Sequence, residues 1–431
     1  MGHMEDMKEK LYSDIKEIYG KSKIFMFWVL LSCMIGMIVG IVGGMFHLAL
    51  EYVTDFRIKN PDILWALPLA GLGIIFFYKF MGMEKDRGTN FILTAVRERK
   101  EVTGKIAPLI FISTCLTHLC GGSAGREGAA LQLGAGIASW IGKFVHLNEK
   151  DERIIIMCGM SAGFSALFGT TATSVVFAME VVMVGVMYYA AIVPCTISAI
   201  LGAEISARMG NHKTVFHLSN IPETVSVDMV LKVALLAIFC AFLGMFFCGI
   251  METVSVLYKK YFPKPYIRIF FGGCLIVLCT YIFGCRDYNG AGMDIIHLAI
   301  AGEAKPEAFL LKMLLTALTL GAGYKGGEIV PAFFIGATFG CTFGGAFQIP
   351  SSFAAGIGMG SLFCAVTNCP LASIILYVEL FGVEGLGYYI LACSISYMLS
   401  GYHSLYQEQR ILYSKYKIEF TDKEIGRRKG I

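Results

Sequence analysis

"GMSAGFSALFGTTATSVVFAMEV" occupies residues 159–181 and "GMGSLFCAVTNCPLASIILYVEL" occupies 358–380. Laid one above the other without a gap, they share Gly-Met, Phe164 with Phe363, Ala166 with Ala365, Ser174 with Ser373 and Glu180 with Glu379. The offset, Gly159 to Gly358, is 199 residues. Extended upstream, it lays Arg126 on Lys325 and Gly128 on Gly327, so that "GREG" (125–128) faces "YKGGEIVP" (324–331). It also carries Ile24, where the first long apolar run begins, to Glu223, just ahead of the next one. The chain reads as one unit written twice, over 24–222 and 223–400, flanked by ends at 1–23 and 401–431.

Composition sets the solvent for that unit. The 431 residues are 56% hydrophobic and 16% charged, with a mean hydropathy of +0.65, whereas soluble chains average about 25% charged residues. Residues 24–50, 233–250 and 353–377 carry no Asp, Glu, Lys or Arg, and each is near or above the ~20 residues a spanning helix needs. Ten-residue alternating strands, the mark of a membrane barrel, are missing. The class is an all-α polytopic membrane protein.

The opening Met1–His3 reads as a tag remnant and is set aside. Lysines at 8, 10, 16, 21 and 23, and the basic residues 410–429, place both termini in the cytoplasm by the positive-inside rule, giving an even number of crossings. The net charge of +4 is accounted for by lysines near lipid headgroups, and no nucleic-acid partner is expected. Fourteen cysteines form no CxxC, many lie inside apolar runs, and the eight histidines are scattered. These are small buried hydrophobes rather than ligands, so no metal, cofactor or disulfide is expected.

Tandem repeats are common in transporters, where the site lies at the repeat interface near mid-membrane. The residues alone leave open whether the repeats are parallel or inverted. Glycine-rich breaks at matched positions point to the site, since backbone released from a helix can line a cavity but cannot face lipid. Gly121–Gly128 and Gly321–Gly327 are such a pair, with turns at 86–90 ("DRGTN") and 287–292 ("DYNGAG").

A helix starting after Gly125 offers unpaired N–H groups and a partial positive charge, which together make an anion site. Glu127 sits there itself, as a tethered anion. If a mobile anion displaces it, its carboxylate swings into a poorly solvated place and takes a proton. The plainer alternative is a glutamate that only favours the helix dipole. In the second half, Gly326 and Gly327 free the backbone and Pro331 suits a first turn, so the amides of Glu328, Ile329 and Val330 face the same cavity. Glu328 is then either functional or an N-terminal cap. Glu180 and Glu379, matched on apolar helices, read as structural cavity-facing acids.

"GREGAALQLGAG" resembles the GREGP segment of the CLC chloride channel and transporter family, "GGEIVPAFFIGATFG" its GGIFAP segment, and "GYHSLYQ" (401–407) its pore-tyrosine stretch. Order and spacing match from Ile24 to Gln407. The resemblance implies two inverted-topology repeats of tilted, broken helices, in a homodimer with one pore per subunit. It implies that Glu127 is the gating, proton-carrying glutamate. It also implies that Arg126, Gly128, Glu328, Ile329, Val330, Tyr406, Thr89 and Asn90 belong to the anion-binding set, with residues 401 onward forming a pore helix and basic tail.

The departures are informative. "DRGTN" stands where the family has GSGIP, Val181 stands where an inner proton-transfer glutamate follows Glu180, and no CBS domains follow. This pattern is similar to the bacterial fluoride/proton antiporter branch. Fluoride is small, hard and strongly hydrated, so stripping it requires strong donors such as Asn amide, Thr hydroxyl and backbone N–H. Phe91, through its electropositive ring edge, and Arg87 are candidate pore-lining residues. The expected function is export of fluoride against protons across a bacterial plasma membrane. A chloride/proton antiporter and a passive anion channel are the alternatives. No Ser/His, paired-Asp or metal set supports an enzyme.

Overall fold

The computed structural model describes residues 2–84, 88–98, 100–222, 225–284 and 286–425. Arg87, in the 86–90 turn, and the basic residues 427–429 lie outside the described residues. Sixteen α-helices are described, in two sets of eight. The first comprises α1 (Gly2–Lys59), α2 (Leu67–Phe80), α3 (Thr89–Glu98), α4 (Ile106–Leu119), α5 (Glu127–Phe144), α6 (Glu149–Phe168), α7 (Thr171–Glu180) and α8 (Ile192–Arg208). The second comprises α9 (Val227–Tyr261), α10 (Pro265–Ile282), α11 (Met293–Ile300), α12 (Ala308–Ala322), α13 (Ile329–Ala346), α14 (Ser351–Thr367), α15 (Pro370–Phe381) and α16 (Leu386–Leu399).

Packing repeats with the sequence. α5 lies on α6 as α13 lies on α14, and α1 on α8 as α9 on α16. Glycines bring the first two pairs together. A Cβ on Gly134 would stand 2.0 Å from the carbonyl oxygen of Gly159, and one on Gly336 would stand 2.4 Å from that of Gly358. Small residues at such crossings are what membrane helices use where burial of apolar surface gives no drive. Six helices among the described residues are long and apolar enough to cross a membrane, and their outer faces present exposed Leu30, Ile41, Phe239 and Phe246. The protein is a multi-pass membrane protein.

α7 and α15 meet across the two repeats. The carboxylate of Glu180, at the end of α7, accepts from the amides of Leu371 (3.2 Å) and Ala372 (2.9 Å) in the first turn of α15. Glu379, near the end of α15, accepts from the amides of Ala172 (3.0 Å) and Thr173 (2.8 Å) in the first turn of α7. Each helix ends where its equivalent begins, so the equivalents run antiparallel and the repeats are inverted. Both acids are mutual N-terminal caps, not cavity-facing groups.

The gapless offset of 199 holds for this pair and for the left-handed caps before it, Gly169 (φ 68°) and Asn368 (φ 56°). It fails upstream. α5 and α13 each have 18 residues and begin at 127 and 329, an offset of 202. The difference is absorbed between them, because α6 has 20 residues and α14 has 17. Three residues are close to one turn, so the same face stays inward while a gapless comparison slips. Arg126 is therefore opposite Glu328, not Lys325, and Gly327 is opposite Gly125, not Gly128.

The ends also differ from expectation. α1 is unbroken, so the charged N-terminal segment continues the first spanning helix instead of standing apart. Residues 401–409 are not a pore helix. α16 stops at Leu399, Gly401 takes φ 58° and the Tyr406 amide goes to the Ser404 hydroxyl (3.1 Å), which leaves no helical ladder. The tail then folds back as strands. β1 (Met183–Val184), β2 (Arg410–Tyr413) and β3 (Phe420–Glu424) form one sheet in that order, parallel and then antiparallel.

Candidate functional site

The two glycine-rich breaks meet. Gly125 N donates to Gly327 O and Gly327 N to Gly125 O, each at 2.7 Å, forming an isolated antiparallel bridge between equivalent residues. No side chain fits there, since a Cβ on Gly327 would lie 2.6 Å from the amide nitrogen of Gly128. The bridge sets the N-termini of α5 and α13 side by side.

Glu127, fully buried, lies between them. Its Oε2 accepts from the amides of Arg126 and Val330, both at 3.1 Å, so donors from both repeats converge on one oxygen. Its Oε1 has no hydrogen-bond partner among the described residues. Two helix N-termini aimed at a carboxylate make a ready anion seat, here filled by a side chain. Of the amides expected to serve it, that of Val330 does so. Glu328 is half-buried at the N-cap of α13, followed by Ile329 as the first helical residue.

The other candidates fall around this seat unequally. Arg126 contributes its amide, while its guanidinium turns away to His47 Nδ1 (2.9 Å) and the Phe168 ring (6.0 Å). Thr89 opens α3 and donates to Gly128 O at 3.3 Å. Asn90 Oδ1 accepts from the amide of Glu408 at 3.3 Å, joining α3 to the Tyr406 loop. Phe91 is half-buried and packed on the core. Tyr406 is buried beside Phe177 (6.5 Å between centroids), and its hydroxyl has no partner among the described residues.

Two residues escaped the sequence reading. Gln132 is buried in α5, with Nε2 donating to Thr89 Oγ1 (3.1 Å) and Gly128 O (3.0 Å) and with Oε1 unpartnered among the described residues. An amide in an otherwise apolar stretch was its only signal. Lys312 is fully buried in α12, donates to Tyr288 O (3.0 Å) and Gly290 O (2.6 Å), and lies 5.2 Å from the Phe334 ring centre. A lone lysine in the run 308–322 was its signal. A cavity of about 570 Å³, lined by His47, Arg57, His118, Arg126 and Asp294, reaches Arg126 from the α1 and α11 side. No cluster of three metal-ligating side chains occurs among the described residues.

Residues 70–401 match the model of the voltage gated chloride channel family. The chain is 32% identical over 398 residues to the chloride/fluoride channel protein of Pseudomonas syringae pv. tomato, covering 90% of this chain and 87% of that one. It is 24% identical over 399 residues to the H(+)/Cl(-) exchange transporter ClcA of Salmonella arizonae, covering 85% and 83%. Among solved structures, a CLC-type fluoride/proton antiporter superposes with a TM-score of 0.85 at 31% identity, over 89% of this chain and 97% of that one. A slow cyanobacterial Cl-/H+ antiporter shares the fold, with a TM-score of 0.75 at 18% identity over 86% and 94%.

Proposed function

The chain belongs to the voltage gated chloride channel family, and from that premise we propose that it is a secondary active antiporter exporting fluoride in exchange for protons. It is a transporter rather than an enzyme, in a bacterial plasma membrane with both termini cytoplasmic, and it works as a homodimer with one pore per subunit. The observation that carries this reading is the seat of Glu127, whose carboxylate occupies the donors an anion would use. Anion arrival displaces the carboxylate, and the displaced group takes up a proton because a bare charge is costly there. Thr89, Asn90 and the hydroxyl of Tyr406 are the donors that replace fluoride's water. With an inward-negative potential, moving one negative charge outward is favoured by ~2.3 kcal/mol per 100 mV, and an inward proton gradient adds to it.

The test is efflux of fluoride and of chloride from proteoliposomes, side by side, with internal pH recorded. The reading expects fluoride to leave faster and to drive protons uphill, and Glu127→Gln to abolish that proton movement. Uphill proton movement persisting in Glu127→Gln refutes the role of Glu127. A second reading, passive anion conduction, draws on Val181, whose buried side chain and occupied carbonyl leave no acid where an inner proton donor is expected. Anion flux without proton movement would favour it.

A further inference from the structure

Tyr406 lies in a stretch without regular structure, so its ring holds position only if the loop is held. Leu405 N (2.9 Å) and Ser404 Oγ (3.1 Å) both donate to Val366 O, at the foot of α14. Gln409 N donates to Tyr406 O at 3.0 Å. The Gln409 side chain is fully buried, its Nε2 donating to Val181 O (3.0 Å) and Thr367 O (2.8 Å). Its Oε1 accepts from Asn368 Nδ2 (3.0 Å), which also donates to His403 O (2.9 Å).

The last two contacts require the Asn368 amide to face the loop with its nitrogen. A carboxamide can turn either way, so something must choose. The His403 carbonyl, which can only accept, draws the nitrogen to its side, and Lys415 reinforces that choice from the other end, its Nζ donating to Asn368 Oδ1. The same Nζ donates to Tyr397 O (2.8 Å) and Ser400 Oγ (3.1 Å) and lies 4.3 Å from the Tyr397 ring centre. Lys415 is delivered by the turn between β2 and β3. That hairpin is docked on the end of α7 by the pairings Met183 with Arg410 and Val184 with Ile411, and closed by the ion pair of Arg410 with Asp422.

We propose that the C-terminal hairpin is a clasp for the pore loop, in which Lys415 is a positioning residue that fixes Asn368 and, through Asn368 and Gln409, the place of Tyr406. Anion selectivity thereby depends on the tail. This inference rests on the reading above that the Tyr406 hydroxyl donates to the anion.

The test compares fluoride and chloride efflux from proteoliposomes holding the full chain as wild type, Tyr406→Phe, Lys415→Met, Lys415→Arg, Asn368→Asp and the Tyr406→Phe/Lys415→Met double variant. The fluoride-to-chloride rate ratio is expected to change about threefold to tenfold in Tyr406→Phe, Lys415→Met and Asn368→Asp alike, the range one lost hydrogen bond commands. Lys415→Arg keeps the donors and restores the ratio. Lys415→Met adds nothing in the Tyr406→Phe background. A ratio unmoved by Tyr406→Phe overturns the role of Tyr406 itself. A ratio moved by Tyr406→Phe but not by Lys415→Met, or moved equally by Lys415→Met in both backgrounds, overturns the clasp. Should Lys415→Met fail to fold, Asn368→Asp decides in its place, since it keeps an acceptor for the lysine and withdraws the donors to the loop.

Discussion

The amide of Val330 donates to Oε2 of Glu127 across 3.1 Å, although the two residues stand 203 positions apart. The second donor to that oxygen, Arg126 N, comes from Glu127's own repeat. The seat thus takes one N–H from each inverted half, and neither half alone could hold an anion there as tightly. Two convergent helix ends help a carboxylate rest in an apolar interior.

Gly125→Ala should unseat that carboxylate. The added Cβ would lie 2.4 Å from Glu127 Oε2 and 2.9 Å from Pro331 Cδ, so the side chain must leave its donors. The expected outcome is loss of proton coupling by about tenfold or more, equivalent to ~1.4 kcal/mol, in the proteoliposome assay.

Glu180→Gln and Glu379→Gln should act on stability and not on coupling. Each acid receives two backbone N–H groups from the opposite repeat, and Gln, with one acceptor oxygen and an NH2, loses one of those hydrogen bonds at a cost of about 1–3 kcal/mol. A lower melting temperature in detergent, with an unchanged ratio of protons to anions, is the expected pair of results.

Thr89→Val removes the hydroxyl that donates to Gly128 O and accepts from Gln132 Nε2. Valine has no hydroxyl to turn from Gly128 O to a strongly hydrated anion, so fluoride efflux should fall by about tenfold while chloride efflux falls less. Parallel rate measurements on both anions check it.

Glu98 supplies a pH dependence. Hydrogen bonds from Arg97 and Lys100 lower its carboxyl to about 2 from 4.5. A depressed carboxyl pKa stabilises the fold above the unfolded value, so this contribution is present above about pH 4.5 and is lost as pH falls toward 2. Glu98→Gln should flatten the fall in melting temperature between pH 5 and pH 3 in part, and only modestly, because Glu98 and Lys100 are solvent-exposed.

Much of this arrangement could be read from the chain because helices in lipid announce themselves by length and by the loss of charge. The repeat was visible for a similar reason. Glu180 and Glu379 are rare acids in apolar runs, and they share their offset with the Gly-Met, Phe, Ala and Ser matches before them. The offset misled at Arg126 because α14 is shorter than α6 by nearly one turn, a change that leaves packing intact and so leaves little trace in residue pattern. Inversion came only from the family resemblance and not from the residues, since a residue string read in one direction is silent on which way its helices point. Gln132 and Lys312 were missed because their partners are backbone carbonyls and a hydroxyl, and backbone atoms have no signature in sequence. The fold of the tail was hidden for the same reason, as β1 has only two residues and pairs with a strand 227 positions away.

The Gly125–Gly327 bridge and the exchanged caps of α7 and α15 have a mechanical meaning. Inverted-repeat carriers often work by rocking one half against the other around a fixed site. Here the halves are stitched together, at the site by two backbone hydrogen bonds and away from it by two exchanged carboxylates, all of which a pivot would strain. These contacts oppose a rigid-body swing of one half against the other, and the Glu127 side chain can leave its seat without breaking any of them.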